Sequence, residues 1–166
     1  MIRPLTESDL EAYTALRRES LLDAPLAFGS SPEDDSAASV EALRAQLQRA
    51  PDWMLFGAFD DDGRLAGAAG AIRARHRKAA HKMHVWGVYV RPSSRRLGLG
   101  RALLEAVIAH ARATPGIDWL QLAVSTSATP ARRLYERAGF AAWGTEPDAL
   151  RYEGESADEV WMALRV

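Results

Sequence analysis

The stretch Pro92 to Val107, PSSRRLGLGRALLEAV, sets Gly98 and Gly100 two residues apart with Arg95, Arg96 and Arg101 around them. A strand-like run precedes it and a helix-like run follows. Glycine lets a backbone come close to a ligand, the free N–H groups of a first helical turn point at an anion, and the helix dipole adds partial positive charge. Backbone from Arg95 through Leu97, Gly98, Leu99 and Gly100 to Arg101 and Ala102 is therefore a candidate cradle for a pyrophosphate. Two other phosphate loops fit less well. A Walker loop needs Lys-Ser/Thr after its last glycine, where Arg101-Ala102 stands; a dinucleotide loop needs a third glycine, where Leu103 stands, and its acid at the end of the next strand, whereas Asp118 sits at that strand's start. Two glycines that simply ease a strand-to-helix turn, beside solvated arginines, account for the pattern equally well.

The elements that must position this loop are legible as a mixed order of helices and strands. Thr6 caps a helix containing Leu10, Tyr13, Leu16 and Leu21, ending before Pro25; Pro25 to Ser36 reads as a loop; and Val40, Leu43 and Leu47 mark a second helix closed by Pro51. Trp53 to Phe59 and Leu65 to Ile72 read as a hairpin around Asp60 to Gly63, and Met83 to Val90 as a strand stopped by Arg91-Pro92. The basic stretch between them, RARHRKAAHK, reads as a loop or frayed hairpin end. A helix follows the glycines, then a strand from Trp119 to Val124. Thr129 is expected to cap a helix with Pro130 at its first position, ended by Gly139. Phe140 to Gly144 and Val160 to Val166 are the last strands, joined by a turn-rich connection. The chain is expected to be one α/β domain over residues 1–166, a mixed sheet with helices on its faces.

Composition narrows the partners. The 166 residues carry 21 basic and 22 acidic side chains, for a net charge of −1, so the chain as a whole has no electrostatic reason to bind nucleic acid or an anionic membrane. There is no cysteine, which excludes disulfides, thiolate metal sites and a cysteine nucleophile. Acidic residues in MIRPLTESDLEAY argue against a signal peptide, and the expected location is cytoplasmic.

YVRPSSRRLGLGRALL, followed later by ARRLYERAGF, resembles the GNAT superfamily of acyl-CoA-dependent N-acetyltransferases. The resemblance implies a central, mostly antiparallel sheet of six to seven strands with about four helices. It implies acetyl-CoA as cosubstrate, with the pyrophosphate on the loop and the pantetheine arm along the backbone of Val88, Tyr89 and Val90. A backbone N–H near Val88 or Tyr89 would stabilise the developing oxyanion, worth about 3 kcal/mol per donor. Tyr135 would protonate the leaving thiolate. A catalytic carboxylate of several relatives corresponds to His84, whose titration range suits a base for the amine. His84 has the strand parity of Trp86, Val88 and Val90, which places all four on one face; His81 is a weaker candidate. A metal on His76, His81 and His84 lacks a completing carboxylate, so no metal is expected.

Two departures from the family pattern stand out: Ala128 replaces a cofactor-contacting asparagine, and Arg96 a common glycine. The resemblance places the acceptor, a small-molecule or peptide amine, against the first two helices and their loop from Ala24 to Ser36 and against the connection between the final strands, with Glu33, Asp34 and Asp35 attracting the cation and Trp53, Trp86 and Trp143 as walls. Two functions fit: an enzyme that transfers acetyl by direct attack, or a non-catalytic acyl-CoA-binding or sensory domain. Homodimers are common in the family.

Overall fold

The computed structural model describes residues 1–35, 37 and 39–166; Ser36, the end of the expected loop, lies outside them. A seven-stranded sheet has the order β1-β2-β3-β4-β5-β7-β6. Its strands are β1 (Ile2–Pro4), β2 (Trp53–Phe59), β3 (Leu65–Arg73), β4 (Lys82–Val90), β5 (Trp119–Ser125), β6 (Ala141–Tyr152) and β7 (Glu155–Arg165). Neighbours are antiparallel except β4 and β5, which run parallel. Helices α1 (Leu10–Asp23) and α2 (Val40–Leu47) cover one face, and α3 (Leu99–Ala113) and α4 (Thr129–Arg137) the other. None of the described helices is long and apolar enough to cross a membrane.

Each face has its own core. On one, Leu103, Leu104, Val107, Ile108 and Ala111 of α3 recur at helical spacing and are buried on the strands. Burying each of the larger ones contributes roughly 1.5–3 kcal/mol. On the other, Leu10, Tyr13 and Leu16 of α1 pack on Leu43, Trp53 and Leu55. Arg17 and Ser20 break the apolar stripe of α1, yet both are buried. Ser20 resolves its burial locally by donating to the Arg17 carbonyl at 2.7 Å. Arg17 needs a partner from elsewhere.

Three sequence expectations change. The short strand β1 pairs Ile2 with Ala58 and is too brief for periodicity to reveal. Thr129 is the first residue of α4 and Pro130 its second; Ala128 takes the cap position, and no side chain caps the helix. The expected turn-rich connection between the last strands is instead a long hairpin that turns at Glu153-Gly154, both in the left-handed region. Its β6 lies at the sheet edge and is mostly exposed, so it carries no apolar alternation. Pro147 is tolerated because it falls within the irregular pairing between Glu146 and Leu150.

Candidate active site

The parallel pairing of β4 and β5 is brief. Lys82, Met83 and His84 sit opposite Trp119, Leu120 and Gln121, and beyond them the strands part. From Val85 to Val90, β4 is paired on the β3 side alone. Arg91 donates its N–H to the Ala66 carbonyl at 2.9 Å, and Tyr89 lies opposite Ala68. Antiparallel alternation therefore turns the peptide groups of Val90, and of Val88 by the same rule, toward the open side. Apart from the Val90 carbonyl, which accepts from Arg95 Nε at 2.9 Å, the gap offers a free strand edge to an extended ligand.

At the end of β4 the chain enters the glycine loop. Arg96 has φ 65° and Gly98 φ 78°, so two left-handed residues bracket Leu97. That curl gathers successive N–H groups into a concave nest. Among the described residues, the backbone N–H groups from Arg96 to Arg101 donate to no protein acceptor; the first helical bond is Ala102 to the Gly98 carbonyl at 3.0 Å. Leu97 is exposed. A Cβ on Gly100 would lie 3.4 Å from the Leu134 side chain and 3.9 Å from Val90, so Gly100 forms a narrow seam between α3, α4 and the end of β4. The nest, the helix terminus and the free strand edge form one continuous path that fits a pyrophosphate with an extended arm.

Two of the three arginines around the loop are committed elsewhere. Arg95 donates to the Val90 carbonyl at 2.9 Å and to Asp23 at 2.5 Å, while Arg101 pairs with Glu105 on the helix surface. The Arg95 contact belongs to a network at the end of α1: Arg91 bonds Glu19 at 2.9 Å, and the Tyr89 hydroxyl lies 3.3 Å from both Glu19 and Asp23. Burial, reinforced by Asp23 and Glu19, pushes the Tyr89 phenol up from its ordinary value. Tyr89 thus faces α1, while Val88 and Val90 pack toward α3 and α4.

A bulge explains this reversal and corrects the parity argument. Gly70 sits opposite Trp86 but Ala68 opposite Tyr89, so β4 spends one residue more than β3 over the same span. Gly87 absorbs the extra residue at φ 62°. Below the bulge, Met83 and Val85 face α3 while Trp86 packs with the α1 core; above it the assignment flips. His84 and Trp86 therefore lie on the opposite face from Val88 and Val90.

On the α1 side the bulge borders a cavity of about 490 Å³. Its floor is the place where the strands part, Val85 and Gly87 on β4 with Leu122 and Ala123 on β5. His84, Trp53 and Trp86 line it together with Arg17, Asp35 and Glu159. Burial, and then Lys82, lowers the His84 pKa below the ordinary 6.5, which keeps the imidazole neutral at neutral pH. Burial, and then Glu146, raises the Glu159 carboxyl. Asp35 is no free lure for a cation: it holds Arg17 through Nε and Nη2 at 3.0 and 3.1 Å, both side chains being buried. Asp34 accepts from Ser31, and Trp143 lies outside the cavity, 61% exposed against Trp161. His81 is not among the lining residues. Arg17 and Glu159 escaped the sequence reading; a charged residue within the apolar stripe of α1 was the available signal for Arg17.

Tyr135 lies across the sheet from the cavity, buried on α4 with its ring 6.0 Å from that of Phe140. It shares the apolar cluster against which Val88, Val90 and Leu134 pack. Burial alone raises its phenol well above the ordinary 10. Ala128 packs against that cluster too, and Ser127 is engaged with Ser125 at 2.8 Å, so neither supplies an asparagine-like amide.

Comparison with known proteins is consistent with this geometry. The profile of the acetyltransferase (GNAT) family matches residues 14–140. A mycothiol acetyltransferase from Salinispora arenicola is 35% identical over 158 residues, covering 90% of this chain and 46% of that protein. One from Thermobispora bispora is 35% identical over 145 residues, covering 81% of this chain and 44% of that protein. The chain thus spans less than half the length of these relatives. Among solved structures, a GNAT-family acetyltransferase from Streptococcus pneumoniae superimposes with a TM-score of 0.87 at 22% identity, covering 100% of this chain and 99% of that one. A GNAT superfamily phosphinothricin acetyltransferase from Sinorhizobium meliloti, solved in complex with acetyl-CoA, superimposes with a TM-score of 0.83 at 24% identity, covering 100% and 88%.

Proposed function

The chain belongs to the acetyltransferase (GNAT) family, and on that premise we propose that it transfers the acetyl group of acetyl-CoA to an amine held in the cavity beside α1. The observation that carries this reading is the continuity of the sites. Where β4 leaves β5, the free strand edge opens on one side toward the N–H nest at Arg96 to Arg101 and on the other onto the cavity floor.

The residues would divide the work by face. The nest from Arg96 to Arg101 would hold the pyrophosphate, and the peptide groups of Val88 and Val90 the pantetheine arm. Acetyl-CoA supplies the activated acetyl group. An N–H of the splayed edge would receive the oxygen on which negative charge develops. An amine with a pKa near ~10 must lose a proton before it attacks. His84 is assigned this base, because it lines the acceptor cavity and its imidazole stays neutral. Tyr135 would donate a hydrogen bond to the departing sulfur from the opposite face. With its phenol raised by burial, a full proton transfer to a thiolate of pKa ~8.5 is uphill, so the hydrogen bond rather than the free proton is its contribution. The acceptors of the longer mycothiol acetyltransferases are not carried over, since this chain covers less than half of those proteins.

Isothermal titration with acetyl-CoA, with ATP and NAD as controls, tests the reading. Selective binding of acetyl-CoA followed by amine-dependent thiol release is expected. Absence of acetyl-CoA binding overturns it, and binding without turnover on any amine would leave the non-catalytic acyl-CoA-binding domain in its place.

A further inference from the structure

Four buried side-chain polar atoms have no hydrogen-bond partner among the described residues: Tyr13 Oη, Arg17 Nη1, Arg73 Nε and Trp86 Nε1. Two of them lie elsewhere. Arg73 Nε lies 2.7 Å from an Asp52 carboxylate oxygen in an ion pair of poor hydrogen-bond angle, and Trp86 Nε1 is turned to the backbone of Gly70, where a Cβ would come within 2.5 Å of it. The other two share one place. From the position a Cβ would take on Gly87, Tyr13 Oη is 3.7 Å away and Arg17 Nη1 3.9 Å. Gly87 is the bulge residue on the cavity floor, and Arg17 lines the same cavity.

Burying donors without partners is costly, and proteins rarely do so unless a water, an ion or a ligand completes them. Asp35 occupies the Nε and Nη2 edge of Arg17 and orients the guanidinium, leaving the Nη1 arm free, while Phe28 lies over it with its ring centre 4.9 Å from Cζ. Tyr13 Oη adds a neutral donor beside this arm. Two donors held 7% and 1% exposed suit two oxygens of one planar acceptor group. The same cavity carries His84 and Glu159, side chains able to face an amine.

We propose that the acceptor is a small amino acid, an amine that also carries a carboxylate, and that Arg17 Nη1 and Tyr13 Oη bind that carboxylate in the slot left open at Gly87. This rests on the acetyl-transfer reading for the amine's fate, but the anchoring itself is measurable without turnover. Trp53 and Trp86 line the cavity, so their fluorescence reports occupancy.

The test titrates wild-type protein with a panel of the common amino acids and β-alanine, and with the matching amines that lack the carboxylate, in the presence of coenzyme A. Members with the carboxylate are expected to bind at least tenfold more tightly than their partners. In Tyr13→Phe the preference should fall about tenfold with an unchanged or raised melting temperature, because the lost hydroxyl bonds nothing in the free protein. Arg17→Lys keeps a charge for Asp35 but removes the Nη1 arm, and should erase the preference. If turnover is present, both variants raise KM far more than they lower kcat. Equal binding of both classes, binding of neither, or a preference untouched by Tyr13→Phe overturns the carboxylate assignment. A parallel acetyl-CoA titration separates these outcomes from failure of the acetyl-transfer reading, which would appear as lost cofactor binding with the amino-acid preference intact.

Discussion

The two sides of the gap between β4 and β5 are built on different principles. On the α3 side, the loop from Arg95 to Ala102 offers backbone: N–H groups gathered by left-handed residues, a helix terminus and an unpaired strand edge. On the α1 side, the cavity offers side chains, Arg17 from α1, Asp35 from a loop, His84 from β4 and Glu159 from β7. A backbone site needs the right local conformations and tolerates varied side chains around it. The arginines of the loop illustrate this, since Arg95 and Arg101 are spent on Asp23 and Glu105. A side-chain site needs distant elements brought within a few ångströms, and a change in any one of them alters what it can recognise.

The sharpest way to break the comparison is Gly100→Val. Its branched side chain would press on Leu134 and Val90, closing the seam beside the nest. Acetyl-CoA affinity measured by titration should fall by more than about 100-fold, the scale of losing several charge-assisted bonds. Unchanged affinity would refute the backbone cradle. Next in size is Tyr135→Phe, for which kcat should drop roughly 10- to 100-fold, in the range of one positioned donor, with the acetyl-CoA dissociation constant nearly constant. Equal loss of both would make Tyr135 a packing residue.

His84→Gln probes the side-chain site, with an expected loss of about tenfold in kcat/KM at neutral pH. The pH profile carries the sign. The base form of His84 is the neutral one, and its pKa lies below 6.5, so the wild-type rate should hold at neutral pH and fall as the pH drops through that lowered value. In His84→Gln this acid limb should disappear; a limb that persists would point to Glu159, whose carboxyl is raised above its ordinary value. The smallest effect is expected from Gly87→Ala, which places a Cβ at φ 62°. About 1–2 kcal/mol of stability should be lost. For a chain of this length that is a fall of roughly 2–8 °C in melting temperature. An unchanged melting temperature would mean that the bulge relaxes without strain.

The side proposed for the cofactor was readable because its signals are short-range. Gly98 and Gly100 announce close approach, Pro92 ends the strand, and Leu103, Val107 and Ile108 declare the buried face of α3. The place of His84 on the strand is legible, but the face it shares is not, since alternation assumes an unbroken pleat and Gly87 breaks it. Nothing in MHVWGVYV distinguishes a bulge glycine from an ordinary small strand residue. Thr129-Pro130 was read as a cap and first turn, but a helix entered from Ala128 puts the same two residues one position further in.

Local chemistry in the sequence thus determined most of the elements and the family, and singled out the loop proposed for a pyrophosphate, because each depends on residues within a few positions of one another. Tertiary structure alone decided that β4 parts from β5, that the bulge turns His84 away from Val88, and that Tyr13 Oη and Arg17 Nη1 both lie near Gly87 without partners among the described residues. Those facts depend on how far apart separate elements pack, a distance that no spacing along the chain encodes.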